Sequence, residues 1–177
     1  RGIEISTQSQ VTAIAKNEEG YTISYMRKGK EESIDADKVL MAVGRKPNVF
    51  SLNLDDAGIE YSSCGIAVND CMQTNVPHIY AVGDVNGRMM LAHAAVFQGI
   101  VALDHIMGMQ NHVDLSVMPA AVFTSPEAAG VGMTEDECKE KGMKVRCLKS
   151  FFRANGKAVT MGETEGFCKL VVAEDGR

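Results

Sequence analysis

One stretch combines residue types and spacing that could do chemistry. It is Ile79-Tyr80-Ala81-Val82-Gly83-Asp84, followed after a short loop by Met90-Leu91-Ala92-His93. An aspartate at the carboxyl end of a short, buried parallel strand can accept hydrogen bonds from a ligand's hydroxyls, and ligands of open α/β sheets gather at that end. Gly83 has no Cβ and permits close backbone approach. A helix is expected from about Met90, and its first N–H groups have no intrahelical partner. Together they amount to about half a positive charge, which suits an anionic or electron-rich ligand edge. The same letters also fit an ordinary helix start preceded by a turn aspartate, so the residues alone leave both readings open.

Other reactive side chains are scattered. Cys64, Cys71, Cys138, Cys147 and Cys168 contain no C-x-x-C or C-x-x-x-x-C pair, so neither a zinc knuckle nor a redox dithiol is encoded. Their odd number reads as free thiols in a reducing compartment. His78, His105 and His112 lack ligand spacing, and no metal site is expected. Gly130-Val131-Gly132 has Glu135 where a third glycine would stand and precedes a capped surface helix, a context that argues against a dinucleotide loop.

The elements that must hold these residues follow from periodicity. Val11, Ala13 and Ala15, then Tyr21, Ile23 and Tyr25, alternate with polar residues as half-buried strands do. Turns at 17–20 and 28–30 join them in a β-meander over 9–44. Lys38-Val39-Leu40-Met41-Ala42-Val43-Gly44 is continuously apolar in its middle, as a strand buried on both faces would be. Pro47 then ends the first module. Ile66-Ala67-Val68 and Ile79–Val82 read as short strands. Apolar residues at 91, 92, 95, 96, 100, 103 and 107 predict a largely buried helix, with Gly108 at its left-handed cap.

Beyond Met118-Pro119 the pattern becomes α+β. Ala120–Phe123 reads as a strand and Thr134 to Glu137 as a capping box opening a helix that ends at Gly142. Met143–Phe152 and Gly166–Ala173 read as strands joined through an Asn155-Gly156 turn.

Composition bounds the function class. The 177 residues are 45% hydrophobic and 23% charged, ordinary values for a globular protein of about one domain at roughly 150 residues each. A net charge of -5 gives no footprint for nucleic acid. The longest apolar-rich stretch, Met89–Met107, is interrupted by His93, Gln98, Asp104 and His105, so no membrane span is expected. The chain opens on Arg1 without a leader and closes at Gly176-Arg177, which suggests a cytoplasmic protein and a piece of a longer one.

The letters go further than the physics. Thr74-x-x-x-x-Ile79-Tyr80-Ala81-x-Gly83-Asp84 with Met90-Leu91-Ala92-His93 resembles the second FAD-binding motif of the flavoprotein disulfide reductases. Val43-Gly44-Arg45-Lys46-Pro47-Asn48 resembles that family's return from its nicotinamide domain. Val122-Phe123-Thr124-Ser125-Pro126-Glu127, with Val131-Gly132 and Thr134-Glu135, resembles the opening of its dimerisation domain, continued by Ala154–Ala158 and Gly166–Leu170. The matches run in the family's order along essentially the whole chain.

The resemblance implies an α/β and α+β chain cut from three domains. Residues 1–48 would be the end of a nicotinamide-nucleotide domain, 49–118 the return segment of an FAD-binding domain, and 119–177 the front of an α+β dimerisation domain. It implies that Asp84, beside Gly83, bonds the ribityl chain of FAD, and that Met90, Leu91, Ala92 and His93 face the flavin's pyrimidine edge. Gly44 would lie beside NAD. The run Leu91-Ala92-His93 favours the branch that oxidises dihydrolipoamide over glutathione- or mercuric-reductase relatives, and over a soluble transhydrogenase. A non-catalytic dimerisation or binding piece is the alternative from another class. The family's G-x-G-x-x-G loops, redox disulfide and acid–base histidine are absent, so no residue here is expected to be catalytic and the chain alone should be inactive. Implied partners are a second copy, through residues after Pro119, and a lipoyl-bearing acyltransferase of a 2-oxo acid dehydrogenase or glycine cleavage complex.

Overall fold

The computed structural model describes residues 2–176, which fall into two units divided between residues 45 and 46. In the first, β1 (Ser9–Lys16), β2 (Tyr21–Arg27) and β3 (Lys30–Ala36) form an antiparallel meander. Asn17 closes the first turn: its Oδ1 accepts from the N–H of Gly20 at 2.6 Å and of Glu19 at 3.0 Å. The expected alternation in β1 is corrected by a register shift between Val11 and Ala13. Val11 pairs with Tyr25 and Ile14 with Ile23, so an extra residue transfers the apolar face from Ala13 and Ala15 to Ile14. Ile14, Ile23 and Ile34 then form one cross-strand row.

The expected strand over 38–44 does not form. Leu40, Met41 and Val43 are 88%, 73% and 87% exposed. A strand buried on both faces needs neighbours to pair with it and layers to cover it. Among the described residues no strand pairs with this segment.

In the second unit, Val49, Leu54, Ile59, Ile66 and Ala81 form one buried cluster, and Met72, Val101 and Ala102 form another. Val68 packs against both. The hairpin of β4 (Tyr61–Ser62) and β5 (Gly65–Ile66) contributes Ile66 to the first. The expected strand at Ile79–Val82 reduces to a single antiparallel bridge between Gln73 and Tyr80. Thr74 instead ties this segment into a tight turn: its backbone N–H donates to the Ile79 carbonyl at 2.9 Å, and its buried hydroxyl bonds the same carbonyl at 3.0 Å.

Helix α1 (Ala92–Ile106) forms where periodicity predicts it, and Gly108 adopts φ 65° just beyond its end. Its buried face differs from the expected one. Ala94, Gln98, Val101 and Ala102 are buried, whereas Val96, Leu103 and Met107 are 63%, 61% and 69% exposed. The sequence carries two apolar stripes on this helix, and the two clusters of the second unit cover only one.

The last part of the chain contains the hairpin of β6 (Ala120–Val122) and β7 (Ala128–Gly130), helix α2 (Glu135–Glu140), and the longer hairpin of β8 (Val145–Phe151) and β9 (Phe167–Ala173). Thr134 and Glu137 form the expected capping box, bonding each other's backbone N–H. Asn155-Gly156 is not a simple turn. Asn155 caps a short helix, α3 (Gly156–Met161), by accepting from the N–H of Ala158 at 3.0 Å.

Glu135 fastens α2 to the long hairpin. Its carboxylate meets Lys139 at 2.9 Å and Lys169 of β9 at 3.2 Å. Hydrogen bonds from Lys139, the Cys147 thiol and Lys169 hold that carboxyl at a pKa of about 2. Desolvation, and then the facing Glu135 carboxylate, push the Cys147 thiol above its ordinary range.

Candidate functional site

The turn after Ala81 begins with extended Val82 (φ -122°) and reverses at Gly83 (φ 79°) into a 3₁₀ turn, Gly83–Asn86. Only glycine takes that left-handed angle at no steric cost. The turn closes at Gly87, whose N–H donates to the Asp84 carbonyl at 3.1 Å. Across it lies the β4–β5 hairpin. A Cβ on Gly87 would overlap the Cys64 carbonyl oxygen, and one on Gly65 the Asn86 carbonyl. Two glycines therefore let two backbones touch beneath Asp84.

Buried amides lock this turn to α1. Gln98, 2% exposed, accepts at Oε1 from the Gly83 N–H at 2.7 Å and from Asn86 Nδ2 at 2.9 Å. Asn86 Nδ2 also donates to the Ala81 carbonyl at 3.0 Å, and Asn86 Oδ1 accepts from the Arg88 N–H at 3.0 Å. Arg88 then reaches back, donating from Nη2 to the Val68 carbonyl at 2.6 Å and meeting Asp70 at 3.5 Å. Among the described residues, no buried side-chain nitrogen or oxygen lacks a partner.

These bonds aim the turn. The half-buried Asp84 sits in the first turn of the 3₁₀ segment, and half-buried Met90 and Leu91 lead into α1. Leu91, the N-cap, is extended, and no side chain caps the helix. Its first N–H groups at exposed Ala92 and His93 thus lie at an uncapped positive helix end. Gly83, Asp84, Met90, Leu91, Ala92 and His93 therefore share one turn and helix start. Gly44 belongs to the first unit, with φ 120° and no atom within 4 Å of where a Cβ would stand.

A pocket of about 160 Å³ beside the turn is lined by Arg88, Met89, Ala94, Gln98, Leu115 and Met118. Small-molecule pockets usually exceed about 300 Å³. The turn and helix start therefore form one open wall, with a carboxylate whose chemistry suits hydroxyls and an uncapped helix start whose charge suits an anionic edge. That donor and acceptor set fits a flavin's ribityl chain and pyrimidine ring, and the open backbone at Gly44 fits the approach of a dinucleotide. Among the described residues, no group of three or more His, Cys, Asp or Glu side chains could hold a metal ion.

Sequence profiles of the pyridine nucleotide-disulphide oxidoreductases match residues 1–99, and those of the family's dimerisation domain match residues 118–177. The chain belongs to this family. Among curated proteins, it is 42% identical over 176 residues to a dihydrolipoyl dehydrogenase of Bacillus subtilis, covering 98% of this chain and 37% of that relative. It is 41% identical over 178 residues to the dihydrolipoyl dehydrogenase of Geobacillus stearothermophilus, covering 99% of this chain and 38% of that one. The chain thus spans well under half the length of these relatives. Among solved structures, LpdA from Mycobacterium tuberculosis superposes with TM-score 0.80 at 26% identity, over 94% of this chain and 36% of that chain. The HOCl-induced flavoprotein disulfide reductase RclA from Escherichia coli gives 0.77 at 25%, over 94% and 38%. The expected mixed α/β and α+β class is that of this family.

The sequence reading missed the locking residues of this pyridine nucleotide-disulphide oxidoreductase chain. Gln98 was legible in principle, as a polar residue within a run of otherwise apolar helix positions. Asn86 and Arg88 carry no such signal, because their partners include the Ala81 and Val68 backbone carbonyls, which no residue type marks in advance.

Proposed function

We propose that this chain supplies part of the FAD wall, and the front of the dimerisation domain, of an enzyme that oxidises dihydrolipoamide to lipoamide with NAD as electron acceptor. The observation that carries the reading is the Gly83-Asp84 turn clamped by Gln98 against an uncapped α1. Similarity to two dihydrolipoyl dehydrogenases at about 40% identity supports the choice of substrate. Boundaries near 48 and 118 would separate the nicotinamide, FAD and dimerisation portions.

Asp84 accepts hydrogen bonds from the ribityl hydroxyls. The backbone N–H groups at Ala92 and His93, with Met90 and Leu91 alongside, face the pyrimidine edge of the ring. There the helix dipole favours negative charge by on the order of 1 kcal/mol. FAD, when bound, supplies the electron transfer between a dithiol and the nicotinamide. Gly44 leaves room for the NAD backbone. Residues after Pro119 meet a second copy, and a lipoyl-bearing acyltransferase of a 2-oxo acid dehydrogenase or glycine cleavage complex delivers the substrate in the cytoplasm. The isolated chain, which has no C-x-x-x-x-C pair, is inactive.

The test is a substrate comparison on the full-length protein. Dihydrolipoamide should reduce NAD at a rate far above any glutathione disulfide reduction with NADPH. The reverse preference would reassign the substrate within the family. A protein with neither activity would instead favour a non-catalytic dimerisation module.

A further inference from the structure

The His93 imidazole bonds the Pro119 carbonyl from Nε2 at 2.7 Å, across 26 residues of chain. A carbonyl only accepts, so Nε2 carries the proton. Pro119 immediately precedes β6, and His93 is the second residue of α1. The stretch leading to Pro119 is also held at a second point. Leu115 packs on the buried Met72, Val101 and Ala102 cluster, and Leu115 and Met118 line the pocket shared with Ala94 and Gln98. Beside the Leu115 anchor, Asp114 fixes a turn by accepting from the Ser116 N–H at 2.9 Å and its hydroxyl at 2.6 Å.

We infer that His93 is a positioning residue that ties the entry to the 119–177 segment to the flavin-facing start of α1. This role rests on the flavin reading of that helix start. The apolar anchor at Leu115 fixes the distance of the segment from α1, and the imidazole bond fixes its direction at Pro119. A displacement of the segment after Pro119 is therefore transmitted to the backbone at His93, where the pyrimidine edge of the flavin would sit. The ring contributes through its Nε2 proton, and a side chain with a donor at the same reach should substitute for it.

The experiment compares His93→Phe with His93→Gln in the full-length protein, both stripped of flavin and reloaded. In the stripped protein, amide exchange over residues 120–122 should rise in His93→Phe by about three- to tenfold, the ratio that losing one hydrogen bond of ordinary net strength produces. His93→Gln should restore protection. In the reloaded protein, the flavin's visible band and reduction potential should shift in His93→Phe and return towards wild type in His93→Gln. Wild-type exchange in His93→Phe would overturn the proposal, and so would altered exchange with an unmoved band and potential. Wild-type protein that never takes up flavin would sink the cofactor reading along with this role. A flavin-loaded protein indifferent to His93→Phe sinks the role alone.

Discussion

Gln98 holds the backbone N–H of Gly83 at 2.7 Å and the Asn86 amide at 2.9 Å through a single buried oxygen. One helix side chain thus fixes both ends of the turn that carries Asp84. Replacing Gln98 with Leu would take the acceptor from the Gly83 N–H, at about 1–3 kcal/mol for a group left unsatisfied, and would leave the Asn86 amide with the Ala81 carbonyl. Chemical denaturation should show a lower midpoint with little change in slope. A midpoint equal to wild type would mean that the turn finds other partners.

Gly87 and Gly108 have nearly the same backbone angle, φ 67° and 65°, in opposite surroundings. A Cβ on Gly108 meets nothing within 4 Å, whereas one on Gly87 overlaps the Cys64 carbonyl. Gly108→Ala should therefore cost only the left-handed penalty, about 1–2 kcal/mol. Gly87→Ala should cost clearly more, and paired thermal melts would reveal the order. Equal losses would show that the β4–β5 hairpin moves aside freely.

Glu135 gives a pH signature. Its folded pKa of about 2 lies below the ordinary 4.5, so its contribution to stability is present above about 4.5 and is lost as pH falls from there through about 2. Glu137, lowered by the Thr134 backbone and hydroxyl, acts with the same sign. Carboxyl titration by NMR should place Glu135 well below the other glutamates, and Lys169→Met should move it back up. A Glu135 titrating at the ordinary value would show that α2 is not fastened to the hairpin in solution.

The β8–β9 hairpin pairs Leu148 with Leu170 on one face, and both are exposed, at 44% and 58%. A two-stranded sheet also leaves two unpaired edges. The chain should therefore self-associate, with sedimentation coefficients that rise with concentration. Leu170→Lys should weaken the association. A monomer at every concentration would count against the proposed dimer surface.

Local signals account for what was legible in the sequence. The Thr134–Glu137 capping box, the meander turns and α1 each depend on residues close in sequence, and each forms as read. The errors concern long-range packing. The 38–44 segment has the composition of a central strand, but composition cannot supply the neighbours such a strand needs. In α1 the residues at 94, 101 and 102 and those at 96, 100 and 103 are both apolar enough to be buried, and only tertiary contacts choose between them. The β1 register shift reverses side-chain parity in a way no alternation count detects. The motif letters placed Asp84 and His93 on one turn and helix start, whereas the amide lock beneath them emerges only in the folded chain.

The central claim, that Asp84 faces a flavin, is tested most directly by Asp84→Ala in the full-length protein, measuring flavin absorbance per chain and the denaturation midpoint of the flavin-free form. The account predicts that bound flavin falls sharply and by more than the flavin-free midpoint does, because Gln98, Asn86 and Arg88 also hold the turn. Stoichiometric flavin in the variant, or an equal loss of stability with and without flavin, would contradict it.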